Sequence, residues 1–245
     1  MRILLVLLVV GCGRIGFDPR ATDGAGADAV DDGLVAYYPM DDLAGGATVD
    51  ATGHGHTATC AMMPPPQGEC PTVVAGHIGN ALAFDGATTI LRVASTPELA
   101  TASGFTIATW VDLASAPASR ACFATKGLGT AIYNSWAACI EPARTIFFYS
   151  VTGATVDNLF SIVTVSTGAW HHIAIRWDGA TKTISLDGAD VIADTAKIDF
   201  DSQDVYIGSD IDNGAFAAPY AGALDDLRIY NRALAADEIA ALAAR

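Results

Sequence analysis

From Gly33 onward the chain consists of short runs rich in Val, Ile, Thr, Phe, Tyr and Trp, each closed by Gly or Asp within about a dozen residues, the mark of an antiparallel sandwich or barrel. In Phe105 to Leu113, the residues Phe105, Ile107, Val111 and Leu113 fall on one face and Thr106, Ala108 and Asp112 on the other. Only a period of two does that. The same reading places strands at 34–39, 81–84, 89–93, 120–125, 131–140, 145–151, 159–165, 170–177, 183–187, 204–208 and 222–230. Three Asp-Gly pairs, Asp85-Gly86, Asp178-Gly179 and Asp187-Gly188, end such runs. There Gly supplies a positive φ and Asp closes the turn. Trp177 ends one strand, a polar turn follows, and Thr183 to Leu186 returns as its partner. Only Ala235 to Leu242 breaks the pattern, with helical propensity and Ile239 and Leu242 three apart. One all-β domain over 33–245 with a short C-terminal helix is expected; its roughly 210 residues suffice for a core shared by two sheets.

The N-terminus has a different purpose. Met1-Arg2 brings one early positive charge, then Ile3 to Val10 is unbroken apolar chain that ends at Gly11-Cys12. This order is that of a signal peptide, here residues 1–11. Eight residues rise only about 12 Å as a helix, against the roughly 20 residues needed to span a bilayer. Val9-Val10-Gly11-Cys12 is similar to the bacterial lipobox, which implies that Cys12 is acylated and becomes the mature N-terminus. Two or more acyl chains, at about 0.8 kcal/mol per buried methylene, anchor a protein stably without a transmembrane helix. Residues 13–32 open with Gly-Arg-Ile-Gly-Phe and continue as an Ala/Gly/Asp series ending in Asp31-Asp32, with little apolar content and no periodicity, a solvated tether that like charges keep extended. Gly13 after the lipid-bearing Cys resembles outer-membrane sorting, so a lipid-anchored place on the outer membrane or cell surface is expected.

With Cys12 spent on lipid, Cys60, Cys70, Cys122 and Cys139 remain. An even number in an exported chain reads as two disulfides. Three connectivities are possible; pairing of neighbours, Cys60 with Cys70 and Cys122 with Cys139, is preferred because each pair flanks a local loop or hairpin. The formal charge is −14, with 23 Asp and 4 Glu against 13 scattered Lys and Arg. Nucleic acid is thereby excluded as a partner, since a phosphate backbone needs a clustered basic patch. Asp is also a preferred ligand of Ca²⁺, so calcium is the expected structural cofactor, with turn chemistry the alternative for any single Asp.

Several segments, in order, resemble one family: Gly33 to Asp41, Ala81 to Gly86, Phe105 to Val111, Gly168 to Ala174 and Gly222 to Leu234. They resemble the laminin-G-like domains of the concanavalin A-like lectin/glucanase superfamily. The resemblance implies a two-sheet antiparallel jelly-roll sandwich in which the first and last strands lie together, and a binding module for glycans or cell-surface polymers. It also implies a structural Ca²⁺ near the N-terminal loop and the last strand. Asp50 to His56 looks like the family's Asp-x-Ser-Gly-Asn-x-Asn loop, with His54 and His56 where Asn is usual; imidazole suits a hard cation poorly. Alternation in the last strand sets Ala223, Asp225, Leu227 and Ile229 on the core face. A buried carboxylate there needs a cation or several donors. Asp50 and Asp225 are therefore the metal candidates, each with satisfaction by backbone N–H groups as the other reading.

Glycosidases on this fold carry Glu-x-Asp-x-(x)-Glu on a strand, and the four Glu here are far apart. Asp199-Phe200-Asp201 and Asp210-Ile211-Asp212 sit in loop-like stretches and read as turn or ion-binding residues. No Gly-x-Ser-x-Gly elbow accompanies His77, His171 or His172. No catalytic site is expected. For a glycan, aromatic rings are the natural platform, and Tyr133 and Trp136, between Cys122 and Cys139, are the ligand candidates, while Trp110, Trp170 and Trp177 are assigned to the core. A protein-binding adhesion or structural module with an envelope-protein partner is the alternative, and a glycoside hydrolase the third reading.

Overall fold

The computed structural model describes residues 30–60, 68–100, 103–127 and 134–245. The expected signal peptide, Cys12, the expected tether up to residue 29 and Tyr133 lie outside the described residues. In chain order the strands open with β1 (Leu34–Tyr38), β2 (Ala47–Thr48), β3 (Ala58–Thr59), β4 (Thr72–Ala75), β5 (Asn80–Asp85) and β6 (Leu91–Val93). Next come β7 (Phe105–Leu113), β8 (Ala121–Gly127), β9 (Asn134–Ile140), β10 (Thr145–Thr152), β11 (Thr155–Thr164) and β12 (Trp170–Trp177). The last are β13 (Thr181–Leu186), β14 (Ala189–Thr195), β15 (Val205–Ile207), β16 (Asp210–Asp212), β17 (Ala215–Ala217) and β18 (Ala221–Tyr230), followed by α1 (Ala236–Ala243).

Two eight-stranded antiparallel sheets face each other. One runs β14-β13-β12-β7-β18-β5-β4 with β1 alongside β18; the other runs β11-β10-β9-β8-β15-β6-β3-β2. The terminal strands do lie together, with Tyr37 opposite Arg228 and Tyr38 opposite Leu227. Between the sheets, Phe105, Ile107, Val111 and Leu113 meet Phe123, Trp136, Ala138 and Phe148 from the opposite layer. The period-two face of β7 is thus the interior one. Its other face is not wet: Ala108 is covered by Leu234, Ile239 and Leu242 of the C-terminal segment, so β7 is buried nearly throughout. Small Ala and Thr side chains on that face let the helix approach. Glu238 supports the helix start, accepting from the Ala235 N–H (2.7 Å) and from both terminal nitrogens of Arg232 (2.8 and 2.6 Å). Val30, expected in the tether, packs into the same cluster.

The disulfides are Cys60–Cys70 and Cys122–Cys139, the latter joining residues directly opposite on β8 and β9. Asp187 and Gly188, both at positive φ (50° and 82°), make the tight turn between β13 and β14. The sequence reading placed no strand between this turn and residue 204. Strand β14 was not anticipated because a register shift opposite Ile184/Ser185 leaves Val191 and Ile192, adjacent in sequence, both half-buried.

Trp136 is a correction. Expected on a presenting hairpin, it is 2% exposed and stacks on Phe105 in the core, ring centroids 5.4 Å apart. The physical reason is its strand: β9 runs between β8 and β10 and is buried on both faces, so alternation sends Trp136, Ala138 and Ile140 inward and Ala137 and Cys139 outward.

Candidate functional site

The outward residues of β8, β9 and β10 form a third, smaller apolar cluster of Cys122, Ala137, Cys139 and Phe147, with Tyr149 and Ala218 packed against it. The β16–β17 hairpin borders this patch, tied down by the Cys122 N–H donating to the Ala218 carbonyl (2.7 Å). Between hairpin and sheet lies a cleft of about 130 Å³. Its floor is the disulfide and Phe147; Tyr149 forms one wall and Asp210, Asp212 and Asn134 another. The aromatic wall continues onto the neighbouring strand, where Phe160, 43% exposed, stacks on Phe147 at 4.7 Å and 20°. Tyr149 meets Phe147 edge-on at 6.2 Å, and the Arg120 guanidinium lies 3.9 Å over the Phe147 ring.

The carboxylates here are not loop residues, as the sequence had suggested. Asp210 and Asp212 occupy the two ends of β16, opposite Ala217 and Ala215, so a period of two puts them on one side. Asp210 is buried; its Oδ2 accepts from Asn134 Nδ2 (2.6 Å) and its Oδ1 from the Ile211 N–H (2.9 Å). Burial raises its carboxyl above the usual range, with Asn134 and Ile211 pulling the other way. Asp212 is raised too, by burial and then by the charge of Asp210. The cation nearby is already engaged: Arg120 Nε donates to Glu141 Oε1 (2.5 Å).

The metal candidates lie elsewhere. Asp50 is buried, and its carboxylate accepts from the N–H groups of Tyr37 (3.1 Å), Thr52 (3.0 Å) and His56 (3.1 Å) and from Thr52 Oγ1 (2.7 Å). Burial pushes this carboxyl up, and these four donors outweigh it and hold it below the usual range. His54 Nδ1 bonds the Val35 carbonyl (3.0 Å) and His56 Nε2 the Glu98 carboxylate (3.0 Å). A carboxylate engaged by four donors and two imidazoles turned to other partners do not fit a hard cation. Among the described residues no group of three or more His, Cys, Asp or Glu could hold a metal ion.

Asp225 is buried as expected but points away from the inter-sheet core. A register shift between Asp225 and Arg228, with Asp226 at φ 50°, breaks the alternation. Leu224 and Leu227 face inward, and Asp225 sits under the 76–80 turn. Its Oδ2 accepts from the N–H groups of His77 and Ile78, both 2.8 Å, while its Oδ1 is buried without a hydrogen-bond partner. Burial raises this carboxyl to about 6 against the pull of those two N–H groups. Trp110, opposite Asp225, lies on this outer face too and stacks on His77 at 3.6 Å, so it is not part of the inter-sheet core.

His171 has both ring nitrogens engaged, by Ser166 Oγ (2.6 Å) and Asp187 Oδ2 (2.8 Å). The other Asp187 oxygen accepts from the His172 N–H (3.0 Å). These bonds clamp the β13–β14 turn onto β12. A larger cleft of about 450 Å³ near Tyr37, Thr52 and His54 includes Arg228, whose charge is spent on Asp226 (3.0 Å) and whose guanidinium covers the Tyr37 ring.

The profile of the concanavalin A-like lectin/glucanases superfamily, in its laminin-G form, matches residues 85–240. The chain belongs to this superfamily. No curated protein sequence matches it. Among solved structures, this laminin-G-like chain is similar to domain 4 of AbnA, a GH43 extracellular arabinanase from Geobacillus stearothermophilus, in complex with arabinotriose. The identity is 20% and the TM-score 0.67, over 86% of this chain and 98% of that one. It is similar to the ligand binding domain of botulinum neurotoxin serotype D in complex with N-acetylneuraminic acid: 12% identity, TM-score 0.66, 90% of this chain and 52% of that one. The binding domain of Paraclostridial Mosquitocidal Protein 1 gives 13%, 0.66, 87% and 52%. The laminin-G-like chain thus spans about half of each toxin domain.

Sequence reasoning missed Phe147, Tyr149, Phe160, Asn134 and the role of Asp210 and Asp212. The run Thr145-Ile146-Phe147-Phe148-Tyr149 is apolar on both faces, so period two alone could not tell which aromatic looked outward. The available signal was partial: Cys122 and Cys139, bridged across neighbouring strands, share a face, which groups them with Phe147 and Tyr149 and apart from Trp136 and Phe148.

Proposed function

We propose that the chain is a cell-envelope lipoprotein whose laminin-G-like domain is a non-catalytic carbohydrate-binding module, with the sugar seated in the cleft between β10 and β16. The observation that carries this reading is a cleft lined by Tyr149 and Phe147, two carboxylates and an amide over a disulfide, with Phe160 stacked on Phe147 beside it. Flat rings cover the apolar face of a sugar at low entropic cost, and carboxylates and amides take its hydroxyls. The glycans held by the arabinanase domain and the neurotoxin domain support the same reading. Asp210 has one oxygen on Asn134 and the other on the Ile211 N–H, an arrangement that holds the carboxyl still rather than presenting it to a glycosidic bond. The lipobox-like Val9 to Cys12 would anchor the module to the membrane and residues 13–29 would space it from the surface.

The test is a glycan array with the purified protein, followed by titration of the best binder against Tyr149→Ala. Loss of one stacked ring weakens binding about tenfold, equivalent to about 1.4 kcal/mol, with a cooperative thermal transition retained. A flat array overturns the reading. A protein-binding module is the second reading, favoured by the edge strand β11, where Ile162 is 78% exposed beside Phe160. It predicts an envelope protein captured through Ile162 and insensitive to competing sugars.

A further inference from the structure

We infer that the glycan taken by the β10–β16 cleft carries free amino groups, a de-N-acetylated amino sugar, and that Asp212 is the residue that selects it. This rests on the carbohydrate-binding reading of the cleft and goes on to name the class of sugar. The argument is one of charge inside a defined cavity. Two carboxylates, Asp210 and Asp212, line one wall, and β16 presents them on the same side. The cation at the rim, Arg120, is committed to Glu141 (2.5 Å) and to the face of Phe147. The amide of Asn134 donates to Asp210 (2.6 Å). An acidic sugar would therefore bring its carboxylate against Asp212 with no free cation among the described residues that line the cleft, in a chain whose formal charge is already −14. Like charges brought together in a half-buried cleft repel strongly.

An ammonium group reverses each of these terms. Asp210, held by Asn134 and Ile211, stays fixed at the back of the cleft; Asp212, half-buried at the end of β16, is the carboxylate that can close on an incoming charge. The ring of Tyr149 favours a cation passing over it, the Phe147 ring being already covered by Arg120 and Phe160, and the sugar ring beside the ammonium supplies the apolar surface to stack. A hydroxyl-only sugar would find the same stacking surface but would leave the pair of carboxylates without a counter-charge.

The experiment compares three oligosaccharides of matched length by titration against the full protein: glucosamine oligomers, their N-acetylated counterparts, and galacturonate oligomers. Glucosamine oligomers are expected to bind at least tenfold more tightly than the acetylated form, with galacturonate weakest. Raising salt should erode only the first, because exposed charge pairs are screened. Asp212→Asn should bring the glucosamine and N-acetylglucosamine affinities within about twofold of each other, while Tyr149→Ala weakens both. Equal or tighter binding of the acetylated or acidic oligomer overturns the inference. So does a glucosamine preference that survives Asp212→Asn. If an array finds a neutral or acidic glycan whose binding Tyr149→Ala abolishes and no amino sugar binds, the amine inference fails and the carbohydrate-binding reading stands. A flat array removes both.

Discussion

Asp225 is a single residue that the sequence marked for its burial and the structure explains by its neighbours. Two N–H groups fill one oxygen and nothing fills the other, so the charged form is disfavoured and the carboxyl rises to about 6. The unfolded chain titrates near pH 4. Between about pH 4 and pH 6 the folded protein therefore holds a proton that the unfolded chain has released, and stability falls as pH rises through this window. Asp225→Asn mimics the protonated form. It should melt with the parent protein near pH 4 and above it near pH 8, and a lower melting temperature near pH 8 would sink the assignment. The direction in which Asp225 points was not legible, because the irregularity at Asp226 leaves no trace in the hydrophobic pattern. Trp136 shows the opposite case. Its strand was read correctly, and only the assumption that a disulfide hairpin is an exposed one sent it to the wrong face.

At the scale of elements, the long alternating runs were legible, as were β6 and β15 at three residues each, while β14 and the shortest hairpin strands were not. Strands β7, β10, β12 and β18 are eight to ten residues long and carry enough alternation to be seen. Strands β2, β3, β16 and β17 are two or three residues long, too short for a period of two to emerge from composition. This is why the hairpin that builds one wall of the cleft was read as a loop. Close approach of β18 to β7 explains Gly222, at φ 153°. A methyl group there would overlap the Asp112 carbonyl on the adjacent strand and the Tyr220 ring. Gly222→Ala should therefore cost at least about 2 kcal/mol in strain and overpacking, or about 4–8 °C in melting temperature for a domain of this size. A thermal melt of the variant within about 1 °C of the parent protein would show that the two strands are not held as close as described.

On the scale of the whole molecule, the architecture depends on what flanks β18. One side is covered by β7 along its length; the other is shared in tandem, with β5 opposite residues 221–224 and β1 opposite residues 227–230. The N-terminal strand thus completes the sheet next to the strand that ends it, and Val35, Ala36 and Tyr38 fill the interior beneath. Tyr38 also donates to the His56 carbonyl (2.5 Å), which joins β1 to the Asp50 loop, while Asp50 accepts from the Tyr37 N–H. Removing β1 would take away the cross-strand bonds of Leu227 to Tyr230, open the core beneath them and release that loop in one step. Loss of a buried Tyr and Val alone is worth several kcal/mol, a large share of the roughly 5–15 kcal/mol that holds a domain together. A chain beginning at Met40 is therefore expected to lack a cooperative thermal transition, whereas one beginning at Val30 should melt like one beginning at Cys12. The cleft lies between β10 of the other sheet and the separate β16–β17 hairpin and is lined by none of the deleted residues. Glycan binding retained by the chain that begins at Met40 would mean that the two sheets do not fold as one unit.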